Sequence, residues 1–289
     1  MKYLFLVMLI SQACATAPKT PVIKAESLPE LMKIDTQPGM VRWVTFKVPS
    51  GWEKAELWCK DQRLKHVSMN PGVHFAYIAE TYFSDLNTHQ CRLKKDKEER
   101  SVVEFSIKPY KYKEEYLKVN PRKVTLAKKD LERAQKEQRM LNELYSQSAL
   151  TPYFAEPFRA PLNSHITSVY GIKRVYNKAH RGQHLGTDYR AAVGVPVPAV
   201  NRGRIMFAGD LFYTGGTVII DHGMDIFTVY GHLSEVKVEA GQIVNAGDIV
   251  ALSGNTGRSS GPHLHWGVKI HGHYIDGYSL IEETKKQFP

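Results

Sequence analysis

The sequence predicts a mainly β protein, with two β domains joined by one helix. Short runs of alternating apolar and polar residues, broken by Gly, Pro and Asn turns, fill residues 27–116 and return after Pro157. Between them the apolar spacing becomes helical. The length of 289 residues suits two domains, each with its own core.

The first 17 residues read as a signal peptide. Met1-Lys2 is a positive start, residues 3–10 are a short apolar run, and residues 11–17 offer small side chains for cleavage. The apolar run is too short to span a bilayer, which needs about 20 residues. The chain is therefore read as exported. Cys14 after Ala13 resembles the cysteine of a bacterial lipoprotein signal and would give a lipid anchor. Cleavage after Ala17 would instead give a free periplasmic chain, and both forms stay open. Residues 18–26 read as a tether.

Residues 27–116 read as a small β-sandwich. Val44, Phe46 and Val48 share a face, as do Ala55, Leu57 and Cys59. Val73, Phe75, Tyr77 and Ala79 form a third such set, and Val103, Phe105 and Ile107 a fourth. In an exported chain Cys59 and Cys91 are expected to pair and pin two of these strands, with two buried thiols as the alternative. Nothing in this stretch suggests chemistry, which points to a binding or occluding module. Residues 117–156 read as a connector. Within it Leu131, Ala134, Leu141, Leu144 and Tyr145 recur at helical spacing, as on a helix that docks on one domain or bridges two. In residues 157–289 the clearest strands are 217–221, 226–230, 249–252 and 263–269. Removing residues 18–150 is expected to leave a foldable C-terminal domain.

The formal charge of +10 suits an anionic polymer. The Lys and Arg residues are dispersed and no nucleic-acid recognition module is seen, so no nucleic-acid partner is expected. The chain is read as a monomer.

Three histidine motifs follow one another in the C-terminal part. They are His184-Leu-Gly-Thr-Asp188, Tyr230-Gly-His232-Leu-Ser234 and Pro262-His263-Leu-His265-Trp266. Four imidazoles and a carboxylate suffice for a zinc site with acid/base groups beside it. His184 and Asp188 would lie roughly 13 Å apart on a straight strand, so the chain must bend, and Gly186 permits a bend. His263 and His265 are two apart and face one side of a strand, where either or both could bind metal. His180-x-x-x-His184 is a weaker pair because Arg181-Gly182 suggests a loop. His271-Gly-His273 reads as an exposed hairpin tip and His222 as a turn residue.

These motifs, with Ser168-Val-Tyr-Gly-Ile-Lys-Arg174, Gly194-Val-Pro-Val-Pro-Ala199 and residues 254–265, resemble the lysostaphin/LytM-type zinc metallopeptidases that cut bacterial wall cross-links. The resemblance implies an antiparallel sheet folded into a groove, with zinc held by His184, Asp188 and His265. It implies His232 and His263 as the acid/base pair, with a zinc-bound water as nucleophile. Which histidine is acid and which is base stays open. The implied activity is endopeptidase cleavage of peptidoglycan stem-peptide cross-links, on the periplasmic side of the envelope. A non-catalytic regulator of other wall hydrolases, or a metallopeptidase acting on proteins, are the alternatives. A D-alanyl–diaminopimelate bond fits an envelope protein, and glycine bridges remain open.

Overall fold

The computed structural model describes residues 23–117, 127–176 and 180–289. The segment read as a signal, with Cys14, lies outside these residues, as does most of the tether. Among the described residues the N-terminal part holds β1 (Met32–Thr36), β2 (Val41–Lys47), β3 (Glu56–Cys59), β4 (Gln62–Leu64), β5 (His66–Asn70), β6 (Val73–Ala79), β7 (Thr88–Lys95), β8 (Glu98–Ile107) and β9 (Glu114–Leu117). A five-stranded sheet of order β1-β8-β7-β3-β4 faces a three-stranded sheet of order β2-β6-β5. Val44, Phe46, Leu57, Cys59, Leu93, Val103, Phe105 and Ile107 meet between the two sheets, as the alternation expects.

Cys59 and Cys91 stand opposite each other on β3 and β7 and form a disulfide. The bond closes a loop with a sequence separation of 32. The chain-entropy argument gives about 3–4 kcal/mol for such a loop. Replacing both cysteines with alanine should lower the unfolding free energy of the N-terminal part by about that amount. Denaturant titration measures it, and an unchanged midpoint would remove the bond from the stability of this sandwich.

The set Val73, Phe75, Tyr77 and Ala79 looks away from the sandwich. Phe75 and Tyr77 enter the core of the C-terminal part beside Leu280 and Ile281, whereas Ala76 and Ile78 fill the sandwich. Strand β6 is therefore buried on both faces, and the two β units share apolar packing.

Beyond β9 comes α1 (Lys128–Tyr145). It docks on the outer face of the C-terminal sheet, where Tyr145 meets Phe227 edge-on at 4.9 Å and Leu141 and Leu144 pack nearby. Leu131, expected on the apolar stripe, is 46% exposed and makes no part of this contact.

The C-terminal part holds β10 (Ile166–Ser168), β11 (Lys173–Tyr176), β12 (His180–Gln183), β13 (Thr187–Arg190), β14 (Pro196–Pro198), β15 (Gly203–Leu211), β16 (Gly215–Asp221), β17 (Ile226–Val236), β18 (Ile243–Val244), β19 (Ile249–Ser253), β20 (His263–Ile270) and β21 (His273–Ile275). Its main sheet is antiparallel, of order β10-β13-β20-β17-β16-β15-β18. Strand β9 leaves the N-terminal part and pairs in parallel with β11, beside the β11–β12 hairpin. His180 thus stands on a strand and not in a loop. The run Arg181-Gly182 that suggested a loop is paired with β11.

The chain closes on α2 (Gly277–Gln287), which the sequence reading did not anticipate. Asp276 caps it by accepting from the Tyr278 N–H. Its side chains also satisfy the edge of β2: Val41 N–H donates to Ser279 Oγ at 3.2 Å, and Trp43 N–H to Glu283 Oε2 at 3.1 Å. Covering an exposed strand edge in this way removes a site of unwanted pairing. His271 sits at the expected hairpin tip but is buried. Its Nε2 bonds the Tyr77 carbonyl at 2.8 Å, because the N-terminal part covers the tip. Cutting away residues 18–150 would uncover these contacts, so the isolated C-terminal part is expected to be less stable than the whole.

Two buried histidines and one half-buried one give the fold a pH dependence. Burial first, then the neighbouring His66, pushes His74 down to about 4. Burial likewise brings His222 to about 4 and lowers His66. The unfolded chain takes up these protons near pH 6.5 while the folded chain resists, so stability is full above that value and falls as pH drops toward 4. A loss of about 2 kcal/mol per strongly shifted histidine is expected between pH 7 and pH 5. Urea midpoints at the two pH values measure it, and a flat profile would contradict it.

Candidate metal centre

Strands β13 and β20 run side by side, with Asp188 directly opposite His265. Along β20, Leu264 and Trp266 are 0% and 1% exposed and point into the core, so His263 and His265 emerge on the opposite face. This is the same-face arrangement expected from their spacing. Asp188 Oδ1 lies 2.8 Å from His265 Nδ1 and 3.0 Å from His184 Nε2, and the two ring nitrogens are 3.4 Å apart.

The chain breaks between β12 and β13, which brings His184 back beside Asp188. The glycine at 186 serves space more than backbone freedom. A Cβ there would lie 2.5 Å from His265 Cε1, 2.7 Å from its Nε2 and 2.8 Å from the Trp266 carbonyl. Gly186→Ala should therefore displace the His265 ring and weaken metal binding by tenfold or more, an effect on the order of that seen when ligand-orienting contacts are lost. Competition against a chelator measures this, and wild-type affinity in the variant would refute the steric account.

His232 reaches the same face by an irregularity in β17. Tyr230 and Gly231 still pair with Trp266 and His265, but the register against β16 shifts before Leu233. His232 takes a φ of 62°, a left-handed conformation uncommon for residues with a side chain. Its N–H bonds the Thr214 carbonyl at 2.6 Å. Such a bulge re-aims one side chain without breaking the strand. The His232 ring centroid then lies 4.6 Å from that of His263 and 5.9 Å from that of His265.

Backbone carbonyls assign the tautomers. His184 Nδ1 faces the Val169 carbonyl at 2.9 Å, so it carries the proton and Nε2 presents a lone pair. His232 Nδ1 faces the Thr256 carbonyl at 2.8 Å, and His263 Nδ1 faces that of Gly261 at 2.8 Å. Both Nε2 atoms are left as acceptors, and that of His263 is 3.7 Å from Asp188 Oδ1. Behind His184, Ser168 Oγ is 3.1 Å from Nδ1 and accepts from Arg174 Nη2 at 2.8 Å. In the sequence Ser168 and Arg174 are legible only as flanks; their contacts behind His184 arise from the bend of the chain.

Burial on its own would raise the Asp188 pKa. The contacts with His184 and His265 together outweigh it and hold the carboxyl well below the usual range. Burial pushes His265 down, against the pull of Asp188. Burial also brings His232 to about 4. The donor set of two imidazole nitrogens and a carboxylate oxygen, 2.8–3.4 Å apart, has the chemistry that suits a divalent ion. Among the described residues these three form a group that could hold a metal ion, their ligand atoms all lying within 4.8 Å of one another.

Residues 182–277 match the sequence model of peptidase family M23. Over this stretch, about a third of the chain, the sequence is similar to that family. The M23 domain is similar to part of peptidoglycan DD-endopeptidase ShyA of Vibrio cholerae, with 36% identity over 121 residues, 41% of this chain and 28% of ShyA. It is similar also to DD-carboxypeptidase/endopeptidase Mpg of Neisseria meningitidis, with 39% identity over 120 residues, 41% of this chain and 27% of Mpg. The matches therefore span little more than a quarter of these relatives. A crystal structure of an M23 peptidase from Pseudomonas aeruginosa superposes with a TM-score of 0.66 at 22% identity, covering 86% of this chain and 95% of that one. This likeness in fold reaches beyond the M23 domain into the N-terminal sheets.

Proposed function

We propose that this chain is a zinc-dependent endopeptidase that hydrolyses the peptide cross-links of bacterial peptidoglycan. The observation that carries this reading is one cluster. His184, Asp188 and His265 converge on a metal-sized space, while His232 and His263 present Nε2 acceptors beside it. A zinc ion bound there would supply Lewis acidity toward a peptide carbonyl and a water molecule. His184 and His265 would hold the ion through Nε2 and Nδ1, and Asp188 would offset part of its charge. His232 and His263 move protons, one accepting from the attacking water and the other donating to the departing amine. Their Nδ1–H bonds to Thr256 and Gly261 keep each ring in the acceptor tautomer at the start of the reaction.

The names of ShyA and Mpg favour a DD cross-link, the D-alanyl–diaminopimelate bond, as the target. A wall substrate places the work outside the cytoplasm, consistent with an export signal in residues 1–17 and an anchor at Cys14 as the remaining alternative to a free chain. No described helix is long and apolar enough to cross a membrane. The N-terminal sandwich, the connector helix and the M23 domain are taken as the functional divisions of the chain. Digestion of purified DD-cross-linked peptidoglycan, with identification of the released muropeptides, tests the reading. Dimers converted to monomers support it; an intact dimer pool with zinc-loaded protein refutes it in favour of a regulator.

A further inference from the structure

Away from the histidine cluster, aromatic rings from three parts of the chain meet in one row. Tyr82 contacts Phe83 with centroids 5.0 Å apart and Tyr112 at 4.7 Å; Tyr112 continues to Tyr110 at 4.7 Å and to Tyr170 at 5.9 Å. Tyr82 and Phe83 come from the N-terminal part, Tyr110 and Tyr112 from the segment leading to β9, and Tyr170 from the M23 side. The inner rings are fixed. Tyr112 Oη donates to the Pro38 carbonyl at 2.6 Å and Tyr170 Oη to the Tyr274 carbonyl at 2.8 Å. The outer rings are open, Phe83 being 67% and Tyr110 48% exposed.

The row is built into the backbone. Gly171 has φ +82°, and a Cβ there would lie 2.1 Å from the Tyr112 ring, so the ring rests directly on the main chain. The same Gly171 donates its N–H to the His184 carbonyl at 2.7 Å. The aromatic row thus begins at the main chain of a residue in the proposed zinc site. Lys111 and Lys113 stand exposed between and beside its tyrosines.

We propose that this row is a binding surface for the glycan strands of peptidoglycan, an inference that rests on the wall substrate proposed above. Pyranose rings present apolar C–H faces that stack on aromatic faces, while their hydroxyl and acetamido groups need donors and acceptors at the edge. Phe83 and Tyr110 supply open faces, the exposed Tyr110 carries a hydroxyl for the edge, and Lys111 complements the lactyl carboxylates of the strand, Lys113 being 3.6 Å from Glu115. Phe83 and Tyr110 lean on Tyr82 and Tyr112, which limits the freedom they lose on binding. Seated here, a strand would bring its stem peptides toward the M23 cluster.

The test uses the mature full chain and fluorescently end-labelled, peptide-free glycan strands, followed by anisotropy. Phe83→Ala and Tyr110→Ala remove exposed rings, and unchanged melting temperatures verify the fold. Each is expected to weaken binding about tenfold, the equivalent of one aromatic stacking contact. Wild-type protein that ignores the strands, or variants that bind them equally well, would overturn the proposal. Binding lost in high salt but unaffected by either substitution would also overturn it, since the lysines alone would then hold the strand. A chain that binds strands through these rings but cuts no cross-link would refute the peptidase reading and leave the row in place as a wall-binding surface.

Discussion

Alanine at His184 or at His265 is expected to give a folded chain that has lost zinc and wall hydrolysis together. His184 contributes Nε2 and His265 Nδ1, each within 3.4 Å of the other and within hydrogen-bond distance of Asp188. Removing either ring leaves two donors, fewer than a catalytic zinc site uses. The fold should survive, because neither ring belongs to an apolar core cluster and the surrounding strands are held by Leu264, Trp266 and Tyr189. Asp188→Asn is a gentler probe. It keeps the side-chain volume but removes the charge that balances the ion, so weaker but measurable zinc binding is expected. Metal analysis of purified protein beside its melting temperature separates the cases. One zinc per chain in His184→Ala or His265→Ala would eliminate this ligand set.

Much of this site is legible because its geometry is local. The pair His263 and His265 follows from strand alternation, and the alternation is secured by Leu264 and Trp266 filling the core between and after them. The need for a bend after His184 also follows from spacing alone. The reason for a glycine at 186 does not, since the crowding ring belongs to His265, far along the chain. His232 is legible as a motif residue but not as a bulge, because its left-handed φ is imposed by the shifted register of β17 against β16.

The fold shows the same division. Alternation in β6 identifies a face but cannot say what covers it, and the structure assigns one face to the sandwich and the other to the M23 side. His271 looks exposed for the same reason: the N-terminal residue that buries its ring, Tyr77, lies far away in sequence. Helix α2 was within reach of a local reading, since Asp276 is a capping residue and Leu280, Ile281 and Thr284 recur at helical spacing.

His232→Ala and His263→Ala should keep the zinc and lose most turnover. Neither residue is in the three-donor group, yet His263 Nε2 lies 3.7 Å from Asp188 Oδ1 and the His232 ring packs against His263 and His265, while a carbonyl holds Nδ1 of each. Loss of a positioned proton carrier lowers rates by roughly 10²–10⁴. Two further features separate this role from a purely structural one. The strained φ of His232 is relieved little by alanine, so truncation should not stabilise the fold enough to mask a catalytic loss. His263 lies two residues from His265 on a paired strand, so shortening its side chain leaves the backbone register of β20 in place. The double variant should be scarcely slower than the worse single one if the two rings serve a common proton path, because groups acting as a unit are not additive. Initial rates on cross-linked muropeptide, with zinc content measured on the same samples, decide it. Near-wild-type turnover with zinc bound would take either residue out of the reaction.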